Sequence, residues 1–239
     1  MEKRKLLLIS YVVFLHVLLV VILISSDSVR QRLTKGLGWR NPSHVDHYRR
    51  MTTFHRRVDA SVPEGAVLFI GDSFVQSMCV AAVTERGVNF GIGGDTAEGV
   101  LKRLPEYTCL NKVSAVILAV GYNDLSIRDN DAILRIYRDI LRLMPNNCLL
   151  LICSLLPIDE RCRPEQYNNR INELNKVILH LCALNRNCHF VNLFYDLQDK
   201  DGNLGREYHI GDGIHLSPEG YRICIEKLRL YLFNLGACN

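Results

Sequence analysis

The chain has 239 residues, 48% of them hydrophobic, which is ample for the core of one domain of ordinary size. Its 29 Lys and Arg against 25 Asp and Glu leave a mild formal charge of +4. That charge is spread along the sequence, without the basic patch that nucleic-acid binding needs, and there is no internal repeat or low-complexity tract.

Residues 6–26, LLLISYVVFLHVLLVVILISS, contain no acid, Lys or Arg and a single His16. That length suits a helix crossing a bilayer. A buried core helix would keep a polar face, and a cleaved signal peptide has a shorter apolar region of ~7–15 residues with a small-residue cleavage site. Ile24-Ser25-Ser26 fits such a site poorly. The run therefore predicts an uncleaved transmembrane signal-anchor. Residues 1–26 are tail and span, 27–45 a polar, basic membrane-proximal linker, and 46–239 the folded domain. Lys3, Arg4 and Lys5 nearly balance Arg30, Arg32, Lys35 and Arg40 across the span. A short basic tail is hard to translocate, and all nine cysteines follow the span. Both points favour a cytoplasmic amino end and a domain outside the cytosol (periplasmic, lumenal or extracellular).

Along the domain, 44–60 reads as a helix leading in. Apolar runs at 66–70, 115–120, 148–153 and 189–193, rich in Val, Ile and Leu, read as strands buried on both faces, with a shorter strand at 87–90. Helical patterns cover 74–83, 96–104, 131–144 and 165–184. The third carries Ile133, Leu134, Ile136, Ile140, Leu141 and Met144 and stops before Pro145; the fourth carries Ile171, Leu174, Ile178, Leu181 and Cys182 on one face. Ser217-Pro218-Glu219 opens a last helix to about Phe233. This alternation predicts an α/β fold, a parallel sheet covered by helices on both faces. An odd number of cysteines leaves at least one thiol over, and no Cys-x-x-Cys pair suggests zinc. Cys148, Cys153, Cys182 and Cys224 lie in apolar runs, where a thiol acts as a small buried hydrophobe.

Four segments fall at the downstream ends of the strands or before the last helix: Gly71-Asp72-Ser73, the run from Asn89 to Thr96, Gly121-Tyr122-Asn123-Asp124, and Asp212-Gly213-Ile214-His215. Taken singly, each reads as a turn. A nucleotide loop is disfavoured, because neither Gly-Lys-Ser/Thr nor Gly-x-Gly-x-x-Gly occurs. Taken together they make chemical sense. Ser73 is a candidate nucleophile at a strand-to-helix turn, His215 a candidate base, and Asp212 the carboxylate that would fix its tautomer. The Ser73 N–H, the Gly94 N–H and the Asn123 amide would form an oxyanion hole, helped by the dipole of the helix after Ser73. Asp95 and Thr96 are expected to hold the second loop in shape. His209 has no evident partner and reads as surface; His44, His47, His55, His180 and His189 read as solvent-facing or structural.

These blocks resemble those of the SGNH (GDSL-like) hydrolase superfamily, whose Ser, Gly, Asn and His fall here on Ser73, Gly94, Asn123 and His215. The runs NFGIGGDTAEGVLKRL, SLLPID and DGIHLSPEGY look like the branch of platelet-activating-factor acetylhydrolase catalytic subunits and related bacterial esterases. The resemblance spans about residues 50 to 235. It implies a flavodoxin-like three-layer α/β/α sandwich with a mainly parallel five-stranded sheet. It also implies ester hydrolysis through a covalent acyl-Ser73, without cofactor or metal. Phe74 and Tyr122 would shape the substrate pocket. The expected substrates are O-acyl esters: lysophospholipid, short-chain acyl esters or O-acetylated envelope glycan. Two alternatives remain, an O-acyltransferase passing the acyl group to a sugar hydroxyl and a non-catalytic binding domain on the same scaffold.

Overall fold

The computed structural model describes residues 4–5, 10–18 and 42–237. Contacts divide the chain into two units, Met1–His47 and Tyr48–Asn239. In the first, residues 10–18 are helical and expose Tyr11, Phe14 and Val17. Among the described residues no helix is long and apolar enough to cross a membrane. Residues 6–9 and 19–26 of the apolar run, and 27–41 of the expected linker, lie outside the described residues.

Helix α1 (Pro42–Asp59) leads into a five-stranded sheet of β1 (Val67–Gly71), β2 (Gly87–Gly91), β3 (Ala115–Ala119), β4 (Leu149–Cys153) and β5 (Cys188–Val191). Every pair is parallel, in the order β2-β1-β3-β4-β5. All five strands lie within two residues of the expected runs. Alternation along each strand splits the apolar residues between two cores. Leu68, Ile70, Phe90, Val116, Leu118, Leu150 and Ile152 pack with α3 (Ala97–Arg103), α4 (Asn130–Leu143) and α5 (Asn168–Ala183). Val67, Phe69, Ala115, Ile117, Leu151 and Val191 pack on the other face with α2 (Ser73–Gln76) and α6 (Pro218–Asn234). Helices thus cover both faces of a parallel sheet, as the alternation of elements predicts.

Side-chain caps set the helix starts: Thr96 accepts from Gly99 N–H, Asp129 from Ala132 N–H, and Ser217 from Gly220 N–H, with Pro218 in the first turn. Helix α2 departs from expectation. Instead of running over 74–83 it ends at Gln76, and a separate 3-10 turn covers Val80–Ala82. The Asn89 side chain on β2 donates to Val75 O at 2.8 Å and Met78 O at 3.1 Å, taking carbonyls that a longer helix would use internally. A disulfide joins Cys182 at the end of α5 to Cys188 at the start of β5, with Cα atoms 5.1 Å apart. Cys182 is therefore a bridge half rather than a free apolar thiol, whereas Cys148, Cys153 and Cys224 are buried thiols as expected.

The order places β1 beside both β2 and β3, and the carboxyl edge next to β1 is the topological switch point where open α/β sheets bind ligands. Gly71 pairs in register with Gly91 and Ala119, so three strand ends finish level at that rim. A Cβ at Gly71 would stand 1.9 Å from Ala119 O, so only glycine lets the turn to Ser73 lie against β3.

Candidate active site

Ser73 follows Asp72, whose side chain caps α2 by accepting from Phe74 N–H at 3.0 Å. Among the described residues neither the Ser73 N–H nor the Gly94 N–H has a protein acceptor, so both are free for a ligand oxygen. The short α2 contributes the Ser73 amide but little macrodipole, because only one turn of peptide units is aligned.

His215 and Asp212 sit in the loop before α6. The His215 ring Nδ1 lies 2.5 Å from Asp212 Oδ2, while Asp212 Oδ1 accepts from the Ile214 and His215 amides at 3.0 and 2.9 Å. Partial burial raises the Asp212 carboxyl, but these hydrogen bonds outweigh it and hold the group below its ordinary range. Asp212 is therefore an anion, and with Nδ1 turned toward it the other ring nitrogen is left to act as a base.

Ser73 and His215 line one open cleft. Its walls are mainly apolar, with Phe74, Tyr122, Leu155, Leu156, Ile214 and Tyr221. Phe74 and Tyr221 stack with ring centroids 5.7 Å apart, and the Tyr221 hydroxyl donates to Phe74 O at 3.0 Å. Behind the cleft, Asn175 of α5 grips the Leu155 backbone twice, accepting from its N–H at 2.8 Å and donating to its carbonyl at 2.9 Å.

Gly94 and Asn123 stand outside that lining. The two loops that carry them are joined to each other, with Asn123 Nδ2 donating to Asp95 O at 2.8 Å. The Gly94 loop is also tied to the Ser73 turn, because Gly93 N–H donates to Gln76 Oε1 at 2.5 Å. Gly94 adopts φ +78°, a left-handed conformation that favours glycine.

Arg103 on α3 holds this rim from below. Its guanidinium, 2% exposed, donates to Asp95 Oδ2 at 2.9 Å, Phe90 O at 2.9 Å, Gly71 O at 3.2 Å and the Tyr107 hydroxyl at 3.1 Å. Asp95 also accepts from Thr96 N–H at 2.8 Å, which fits the shaping role expected for that pair. Asp124, fully buried beside Asn123, accepts from Ala97 N–H and Arg128, each at 2.8 Å. Burial pushes Asp95 up to about 6 even with Arg103 beside it, and raises Asp124 as well. Burial likewise pushes Asp72 up to about 7, with Asp95 and Asp124 adding to the rise.

A family model for the GDSL-like lipase/acylhydrolase family matches residues 69–223, from inside β1 to the first turns of α6. The chain belongs to this family. Membership supports ester hydrolysis in general and carries the SGNH resemblance read from the four blocks. The platelet-activating factor acetylhydrolase IB subunit alpha1 of Rattus norvegicus is 29% identical over 198 residues, covering 78% of this chain and 84% of that protein. The alpha2 subunit of Homo sapiens is 28% identical over 207 residues, covering 78% and 89%. Among solved structures, a protein of Streptococcus pneumonia named for platelet activating factor superposes with a TM-score of 0.71 at 26% identity. It covers 87% of this chain and 100% of its own.

Set within this GDSL-like frame, the fold brings Ser73, Phe74, Tyr122 and His215 to one cleft, puts Asp212 behind the imidazole, and leaves Gly94 and Asn123 on its flank. His209, read from sequence as surface, is 8% exposed and its ring contacts its own loop and Asp159. His55, which left both readings open, is buried and stacked on Phe90 with centroids 4.5 Å apart. Arg103, Asp159 and Tyr221 fall inside the runs that carry the family resemblance but were given no role from sequence, and Asn175 carries no motif signal at all.

The folded protein holds the Asp72 proton up to about pH 7, whereas the unfolded chain releases it near the ordinary 3.8. The stability this group contributes is thus complete below about pH 4 and lost as pH rises through 7. Asp72→Asn keeps an oxygen for the Phe74 amide. Its Tm should exceed that of wild type by several degrees at pH 8, with the gap closing toward pH 4 in thermal melts. Arg103→Met should lower unfolding free energy by about 3–5 kcal/mol in urea titrations, because Asp95 and two backbone carbonyls lose their buried donor.

Proposed function

We propose that the chain is a membrane-anchored serine esterase of the outer membrane face, cleaving O-acyl esters through a covalent acyl-Ser73. The observation that carries this reading is the single cleft lined by both Ser73 and His215, with Asp212 bonded to the far side of the imidazole. His215 Nε2 takes the Ser73 proton as Oγ attacks the ester carbonyl, and the Nδ1–H···Asp212 contact steadies the imidazolium. The Ser73 and Gly94 amides and the Asn123 side chain receive the oxyanion. Collapse expels the alcohol, which takes its proton from His215. Water, deprotonated by the same imidazole, then attacks the acyl-enzyme and frees Ser73 and the carboxylic acid.

The apolar walls favour an aliphatic or acetyl group over a charged one. The names of the curated relatives support a phospholipid-like acyl ester as substrate. The apolar run at 6–26 supports an anchor. The Cys182–Cys188 disulfide supports an oxidising compartment for the domain.

Ser73→Ala and His215→Ala should each lower kcat on nitrophenyl acetate by about 10⁴-fold or more. Asn123→Ala should lower kcat by about 10²-fold with KM little changed. Fluorophosphonate labelling of wild type, abolished in Ser73→Ala, tests the covalent step; unaltered turnover in Ser73→Ala would refute it.

A further inference from the structure

The loop that carries Asp212 and His215 buries Gly213 and packs Ile214 against the core, yet it leaves the two polar side chains toward solvent. Its side chains at those two positions are 37% and 51% exposed, and its ends are joined by an isolated bridge between His209 and Leu216 and a bond from Ile210 N–H to His215 O. Three-atom geometry at the reacting centre nevertheless requires the imidazole to be fixed to within a fraction of an ångström. We propose that His209, backed by Asp159, is the positioning residue that holds this loop in its working shape. The inference rests on the reading of Asp212 and His215 given above.

His209 Nδ1 accepts from Gly211 N–H at 3.0 Å and Gly213 N–H at 3.1 Å, so the two bonds bracket Asp212. The other polar group of Gly213, its carbonyl, accepts from Asp159 N–H at 2.9 Å. Gly213 is thereby pinned on both sides, and a Cβ there would stand 3.0 Å from Asp159 O. Asp159 is itself fixed, accepting from Arg161 Nε at 2.7 Å and from the Arg161 amide at 3.1 Å. Those Arg161 contacts hold its carboxyl down at about 2, so it is an anion.

Two amide donors on Nδ1 demand its lone pair, which puts the ring proton on Nε2. Nε2 faces Asp159 Oδ2 at 3.3 Å, off the line of a full hydrogen bond, so the carboxylate favours that tautomer mainly by charge. The same tautomer decides against a rival reading. Donor atoms of Asp159, Cys162 and His209 lie within 4.8 Å of one another, a spacing open to a metal ion. With Nδ1 occupied and Nε2 protonated, however, the imidazole has no lone pair left for one.

The test uses the full chain with His209→Ala and His209→Asn. Asn places an amide oxygen where Nδ1 stood and can accept the same two N–H groups. His209→Ala should lower kcat on nitrophenyl acetate about 10- to 100-fold with KM within about threefold, and slow fluorophosphonate labelling in parallel. His209→Asn should recover most of that loss. Independently of turnover, the ¹⁵N shifts of wild-type His209 should show a bare Nδ1 and a protonated Nε2. The proposal is overturned if His209→Ala keeps kcat within threefold whatever its Tm, or if His209→Asn is as slow as His209→Ala. The opposite tautomer, or a rise in Tm on adding stoichiometric Zn²⁺, overturns it as well. A wild-type chain that neither hydrolyses ester nor labels at Ser73 would instead refute the site reading, while the ¹⁵N measurement still decides the clasp.

Discussion

One buried guanidinium joins the parts of this site that the chain delivers separately. Arg103 binds the last carbonyl of β1, a carbonyl near the end of β2 and the Asp95 carboxylate, and the Asp95 carbonyl in turn receives Asn123. The nucleophile turn, the glycine loop and the asparagine loop therefore share a single point of reference. Arginine suits this position better than lysine would. Its planar fork offers several donors at fixed angles, and its charge survives burial. The ion pair itself is a weak source of net stability, since both partners give up water to form it. Its value lies in allowing one arrangement of the three loops.

Charge around the rim follows from the same burial. Asp72, Asp95 and Asp124 are all nearly or fully inaccessible; Asp95 and Asp124 raise the proton affinity of Asp72, and Asp124 that of Asp95. They serve as caps and struts, accepting backbone N–H groups from Phe74, Thr96 and Ala97. Asp212 differs. It is partly open to solvent and held as an anion by three donors of its own loop. Of the four carboxyl groups near the rim, only the one bonded to the His215 ring is held below its ordinary range, whereas burial raises the other three.

Much of this was legible in the residues. Four apolar runs became strands because a parallel strand buried on both faces must be apolar throughout, and the shorter stretch expected at 87–90 supplied the fifth. The four short blocks could be assembled because each combines a glycine or capping residue with a chemically unusual side chain. What stayed hidden depends on distant partners. The early end of α2 is set by Asn89 on the neighbouring strand. Arg103 sits in a helix beside Lys102, and nothing in the sequence sets apart the buried cation of the two from the exposed one. His209 gains its role from amides two and four residues on and from a carboxylate in another loop. The partner of Cys182 could be chosen only once the end of α5 and the start of β5 were seen to meet.

The order in which the chain supplies these groups has a biological corollary. Ser73 belongs to the first strand-to-helix turn, whereas His215 belongs to the last loop, which is docked by the final helix. The Ser73 hydroxyl is therefore synthesised long before the His215 imidazole that lines the same cleft. Domains fold as units during synthesis, so the cleft that both residues line takes shape only after the loop before α6 has been made.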